Sequence, residues 1–339
     1  MVATAGRGDH RGTVTRRSAS GRTAPRTTGS ITDYVRQFPI VELEWPPDAI
    51  PLERDTQAWI EQTPDRFVID VVAHRLLTQQ PARPESLWSE VRDLLPTSVR
   101  QKRAIYLDDV GARVLDATFD RFLASVLPLQ RFAKLGTLVF PFPAFFAPSS
   151  RSLDYLVYLR DRARDLPLAV EFRNAQWLDS RHRDSTLQHL EQHRLALVCV
   201  DEPQGFASSV PPVGAVTADL AVVRFRGRNA DLWERDDVDD AQRYAYEYRR
   251  SDLEPWVGRL ERLAQDRRTV HVFMRNAGPD AAMRGARLLR RLLAGEDEAR
   301  PEGGPRRDRE SDRRRPGSGA APGSRGGTGG RRRPPPRGR

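Results

Sequence analysis

The 339-residue chain is 38% hydrophobic and carries a formal charge of +10, but residues 1–30 contribute +5 and residues 296–339 contribute +6, leaving −1 for everything between. With a near-neutral middle and basic ends, the high pI is no evidence that the folded part binds nucleic acid. The lone cysteine, Cys199, rules out an intrachain disulfide and suits a reducing, cytoplasmic setting, and no apolar run approaches the ~20 residues of a membrane span or the core of a signal peptide.

In chain order, residues 1–30 read as a disordered or non-native N-terminus, rich in Arg, Thr, Ser and Gly. Their strand-like run is GTVT (12–15), a poor one. PIVEL (39–43) is the first clear strand, followed by a helical pattern at 52–62 and the strand RFVIDVV (66–72). A long connection, 73–134, contains the helical pattern 116–133. Then come the strand LGTLVFPF (135–142), a helix at 151–165, the strand LAVEFR (168–173), a helix at 184–194, and the strands ALVCVD (196–201) and LAVVRFRG (220–227). A second long connection, 228–249, leads to a helix at 250–266, the strand TVHVFMR (269–275) and a helix at 280–294. Residues 296–339 are an Arg/Gly/Pro-rich tail whose composition cannot bury a core.

Continuous apolar strands alternating with amphipathic helices indicate βαβ units and a parallel sheet covered on both sides. The expected fold is α/β, a TIM-type (β/α) barrel over residues 31–295. An open doubly wound sheet is the alternative. Seven strands are one short of a closed barrel, and the chain ends on a strand and a helix, so the missing strand belongs at the start. The expectation is a barrel without a normal first strand, patched or open at that place.

Side chains alternate along a strand, so charges two residues apart share a face. Glu42 shares a face with Ile40, Glu171 with Ala169 and Arg173, Asp201 with Leu197 and Cys199, and Arg224 with Val222 and Arg226. All lie toward strand C-termini, where barrel chemistry is placed. The pattern offers Glu42, Glu171 and Asp201 as acid/base or metal-binding carboxylates, with Arg173 and Arg224 clamping an anionic group bidentately. Trp177 follows the strand closely enough to wall such a pocket. A structural ion-pair network closing the barrel end fits the same residues. HLEQH (189–193) lacks the Glu of a zinc-protease helix, and DDVDD (236–240) lacks the spacing of a calcium loop. No metal site, Walker loop or dinucleotide fingerprint is legible, and the cofactor is left open.

Several segments in combination carry a resemblance: DYVRQFPIVEL (33–43), LLTQQPARPESLW (76–88), KLGTLVFPFPAFF (134–146), LAVEFRNAQWL (168–178), VTADLAVVRFRGRNADLW (216–233), YEYRRSDLEPW (246–256) and VHVFMRNAG (270–278). Over about 31–295 the chain resembles the YecE-like family (domain of unknown function 72). The resemblance implies a TIM-type barrel and brings no reaction with it. It implies recurrent polar positions at Glu42, Glu171, Arg173, Trp177, Asp201, Arg224 and Asn276. It also marks departures. The Gly-rich first strand of the family is missing, Val72 stands for a lysine, Gln80 for a histidine, Pro141 for a glutamine, Arg226 for a histidine and Arg275 for an asparagine.

Two functions follow. The first is an enzyme-type pocket for an anionic substrate, with hydrolytic or phosphodiester chemistry. The second is a catalytically degenerate barrel that binds a ligand or protein. The sequence leaves enzymatic status open. The expected partner is a small anionic ligand. The basic tails alone suggest nucleic acid, and nothing suggests a membrane.

Overall fold

The computed structural model describes the backbone of Val2–Arg7 and residues 34–296, except 47–48, 266–267 and 279. The C-terminal tail and the GTVT run lie outside the described residues. Eight parallel strands close a barrel in sequence order. They are β1 (Val2–Arg7), β2 (Ile40–Glu44), β3 (Val68–Val72), β4 (Leu135–Pro141), β5 (Leu168–Glu171), β6 (Leu195–Asp201), β7 (Leu220–Phe225) and β8 (Thr269–Met274). The principal helices around them are α1 (Glu53–Gln62), α2 (Ala112–Arg131), α3 (Ser150–Ala163), α4 (Arg183–Gln192), α5 (Arg250–Leu263) and α6 (Ala281–Leu293).

The seven strands read from the sequence, β2 to β8, form the parallel wall. The remaining place is patched by Val2–Arg7, so the barrel draws on chain outside 31–295. This patch divides its pairing. Val2, Ala3 and Thr4 match Val272, Phe273 and Met274 of β8, while Ala5, Gly6 and Arg7 match Glu42, Leu43 and Glu44 of β2.

Register decides which face of each strand looks inward, because Cα partners in a parallel ladder point their side chains the same way. Glu42 pairs with Asp70, Val72 with Val139, Pro141 with Glu171, and Ala169 with Ala196. Val200 pairs with Arg224, which pairs with Phe273. These residues form the inner row. A register shift between Ile69 and Val71 in the β3–β4 ladder lets both Gly136 and Val139 face inward. The alternate row packs on the helices: Phe140 stacks on Phe119 of α2, and Phe225 meets Trp256 of α5 edge-on. β6 is buried along its whole length, as its unbroken apolar run requires. Among the described residues no helix is long and apolar enough to cross a membrane.

Candidate functional site

At the C-terminal mouth of the barrel, inward residues of β2, β5, β7 and β8 meet in one lattice. Arg224, 1% exposed, donates from Nε to Glu42 Oε2 at 2.9 Å and from Nη1 to Glu171 Oε2. Arg226 donates from Nη2 to the other oxygen of Glu171 and from Nη1 to the Tyr244 hydroxyl at 3.1 Å. Arg275 donates to Glu42 Oε1 at 2.6 Å and to Glu44 Oε2 at 3.0 Å. Glu42 and Glu171 are fully buried, and each has both oxygens held by guanidiniums. Burial raises the Glu171 carboxyl, but Arg226, Arg224 and Arg275 together outweigh it and hold it at about 2. A carboxylate so placed is a poor proton acceptor near neutrality.

Arg173 is different. It extends beyond β5 on the Glu171 face and lies over the Trp233 ring, 5.5 Å from its centroid. No carboxylate among the described residues is within ion-pair distance of it, and its buried Nε has no hydrogen-bond partner there. Trp233 is fixed from below by its own Nε1, which donates to Ser208 Oγ at 3.0 Å.

Glu202, one residue beyond β6, completes the group. It is 3% exposed, and Oε1 accepts from the Val210 amide at 2.9 Å, while Oε2 is buried without a partner among the described residues. Burial pushes its carboxyl up to about 7, against the pull of Arg226 and Arg173 and with the push of Glu171. Asn276 donates to the Tyr246 carbonyl at 2.7 Å, and its buried Oδ1 likewise has no partner among the described residues.

Two sequence-predicted residues stand elsewhere. Asp201 was expected on the inner face. It pairs in register with Phe225, which faces the helices, and so it points outward. There its carboxylate accepts from Trp256 Nε1 at 2.9 Å, the Tyr248 hydroxyl at 2.7 Å and Arg228 Nη2 at 2.7 Å. It ties β6 to α5 and is not part of the mouth. The turn that frees Arg228 for this pair is made by Gly227. Its φ of +89° and the Tyr246 Cβ, 2.7 Å from where a side chain would begin, admit only glycine. Trp177 does not wall the mouth either. It is 1% exposed, donates to the Phe146 carbonyl at 2.6 Å, and stacks on Phe172 with centroids 4.3 Å apart. Cys199 is buried, and burial pushes its thiol up to about 11, the state of an unreactive core cysteine.

Below the lattice lies a pair that the sequence reading missed. Asp70 Oδ2 and His271 Nδ1 are 2.9 Å apart, both buried. Burial raises the Asp70 carboxyl, with His271 opposing. A Cβ on Gly136 would overlap Asp70 Oδ1 and lie 2.9 Å from His271 Cε1, so the pair needs glycine opposite it. Among the described residues no group of three or more His, Cys, Asp or Glu could hold a metal ion.

The profile of the family described as "Protein of unknown function DUF72" matches residues 17–309. The chain belongs to the DUF72 family. It is 30% identical over 264 residues to the UPF0759 protein YunF of Bacillus subtilis, covering 76% of this chain and 85% of that one. Among solved structures, a DUF72 family protein of Enterococcus faecalis superposes with a TM-score of 0.66 at 24% identity, over 79% of this chain and 90% of that one. A DUF72 family protein of Thermotoga maritima gives 0.61 at 24%, over 79% and 92%. These likenesses extend the barrel assignment to the DUF72 fold.

Within DUF72, the positions where this chain departs from the expected pattern now have a physical consequence. Arg226 and Arg275 stand where the resemblance implies a histidine and an asparagine. They are the guanidiniums that occupy the outer oxygens of Glu171 and Glu42. Gln80 and Pro141, two further departures, are joined by a hydrogen bond from Gln80 Nε2 to the Pro141 carbonyl at 2.8 Å.

Proposed function

We propose that the barrel mouth binds a small anionic ligand through Arg173, with Glu42, Glu171, Arg224, Arg226 and Arg275 as its rigid frame. The observation that carries this reading is the contrast between Arg173 and its neighbours. Three guanidiniums of the mouth are taken up by buried carboxylates. Arg173 is held over an aromatic ring with its charge unmatched by any ion pair among the described residues. A guanidinium preorganised in this way suits a carboxylate or phosphate. Guanidiniums engage both oxygens of Glu42 and of Glu171, which favours a binding module over an enzyme.

Hydrolytic or phosphodiester chemistry is the second reading, and Glu202 is what favours it. A buried carboxyl near 7 has the proton affinity of a general acid.

The test of the first reading is thermal unfolding of the full chain against a panel of small carboxylates and phosphates. A ligand at about one hundred times its Kd should stabilise the protein by about 2.7 kcal/mol. Arg173→Met should abolish that shift, while Arg100→Met, whose guanidinium pairs with exposed Asp93, should keep it. A shift that survives Arg173→Met would place the ligand elsewhere.

A further inference from the structure

We propose that Glu202 makes the mouth selective for an oxyanion that carries its own proton, inorganic hydrogen phosphate, and excludes sulfate. This rests on the reading of Arg173 as the anion-binding residue and adds what that residue alone cannot supply, since a guanidinium takes either oxyanion.

Among the described side chains the mouth holds four guanidiniums, Arg173, Arg224, Arg226 and Arg275, and four carboxylates, Glu42, Glu44, Glu171 and Glu202. With all of them ionised the formal sum is zero. Among these side chains an anion therefore finds no surplus positive charge, and it lies next to a carboxylate. Three of those carboxylates are bound by arginine. Glu202 is the one with a buried oxygen, Oε2, left without a partner among the described residues.

That oxygen cannot turn away. Oε1 is anchored on the Val210 amide, and the backbone at Glu202 is held by Gln204, whose Nε2 donates to the Glu202 carbonyl at 3.0 Å and to the Val210 carbonyl at 3.2 Å. The charged groups around the carboxyl are Arg226 from β7 and Glu171 and Arg173 from β5. Val198 and Val200 continue its inward row on β6.

Ionised Oε2 is only an acceptor. Sulfate near neutrality offers only acceptors in return, so the two would face each other desolvated and unpaired. Inorganic hydrogen phosphate, which retains one P–OH, donates that hydrogen to Oε2 while its charged oxygens face Arg173. When Glu202 is protonated, its own O–H can donate to either anion, and the discrimination disappears. Because burial places the carboxyl at about 7, selectivity is present above that pH and fades below it.

The experiment is calorimetric titration of inorganic phosphate and of sulfate into the full chain at pH 8 and pH 5.5. Wild type, Glu202→Gln and Arg173→Met are compared, and thermal unfolding checks each variant's fold. At pH 8 wild type should bind phosphate about tenfold or more tighter than sulfate, and the gap should close at pH 5.5. Glu202→Gln, whose amide can donate, should close it at both pH values by admitting sulfate. Equal binding of the two anions by wild type at pH 8, or a preference that persists in Glu202→Gln, overturns the role of Glu202 while leaving that of Arg173. Binding of neither anion by wild type at either pH overturns both.

Discussion

Glu171 is the residue on which the mouth depends most. It is fully buried, and both oxygens are engaged by Arg224 and Arg226. Glu171→Gln leaves two buried guanidiniums short of their counter-charge, and breaking a buried pair on one side costs about 3–5 kcal/mol. Denaturant unfolding at neutral pH should register that loss. The folded carboxyl sits at about 2, below its unfolded value near 4.3. Its contribution is therefore present above that unfolded value and is lost as pH falls through about 2. Wild type should lose stability across this window, and the variant should lack that step. A Glu171→Gln protein as stable as wild type would mean that the lattice is not structural. At this scale the sequence was legible in part. Glu42, Glu171 and Arg224 meet as strand parity suggested. Asp201 and Glu202 exchanged places because parity tells which residues share a face and not which face looks inward; only the β6–β7 register supplies that. Asp70 and His271 are single polar residues inside RFVIDVV and TVHVFMR. Their signal was available, since a charge in the middle of a strand buried on both sides needs a partner.

At the scale of elements, the strands and helices lie within a few residues of where periodicity placed them. The strand Val2–Arg7 was not read from the sequence, which offered residues 1–30 as disordered or non-native, because VATAGR has few β-branched residues to mark it. Gly136 shows how one element serves another. Glycine in a strand usually weakens it. Here it leaves room on β4 for the Asp70–His271 pair held by β3 and β8. Gly136→Ala should therefore destabilise the barrel by about 1–3 kcal/mol, the cost of overpacking, despite alanine's better backbone entropy. A stabilised Gly136→Ala variant would show that the pair has room to move.

For the whole molecule, arginines tie up Glu42 and Glu171 inside a barrel of the DUF72 family, and we propose that Arg173, which has no ion pair among the described residues, meets a ligand at the mouth. The competing place for an anion is the flank of α6, where Arg284, Arg287 and Arg291 line a surface concavity. Arg284 is there paired with Glu247 at 2.6 Å, and the site is open to solvent screening. A crystal soaked in arsenate, which carries a proton as phosphate does, separates the two through the anomalous signal of arsenic. An arsenic peak is expected in the barrel mouth within hydrogen-bond reach of the Arg173 guanidinium, and it should be lost in Arg173→Met crystals. Peaks confined to the α6 arginines, with none at the mouth, would contradict the proposal.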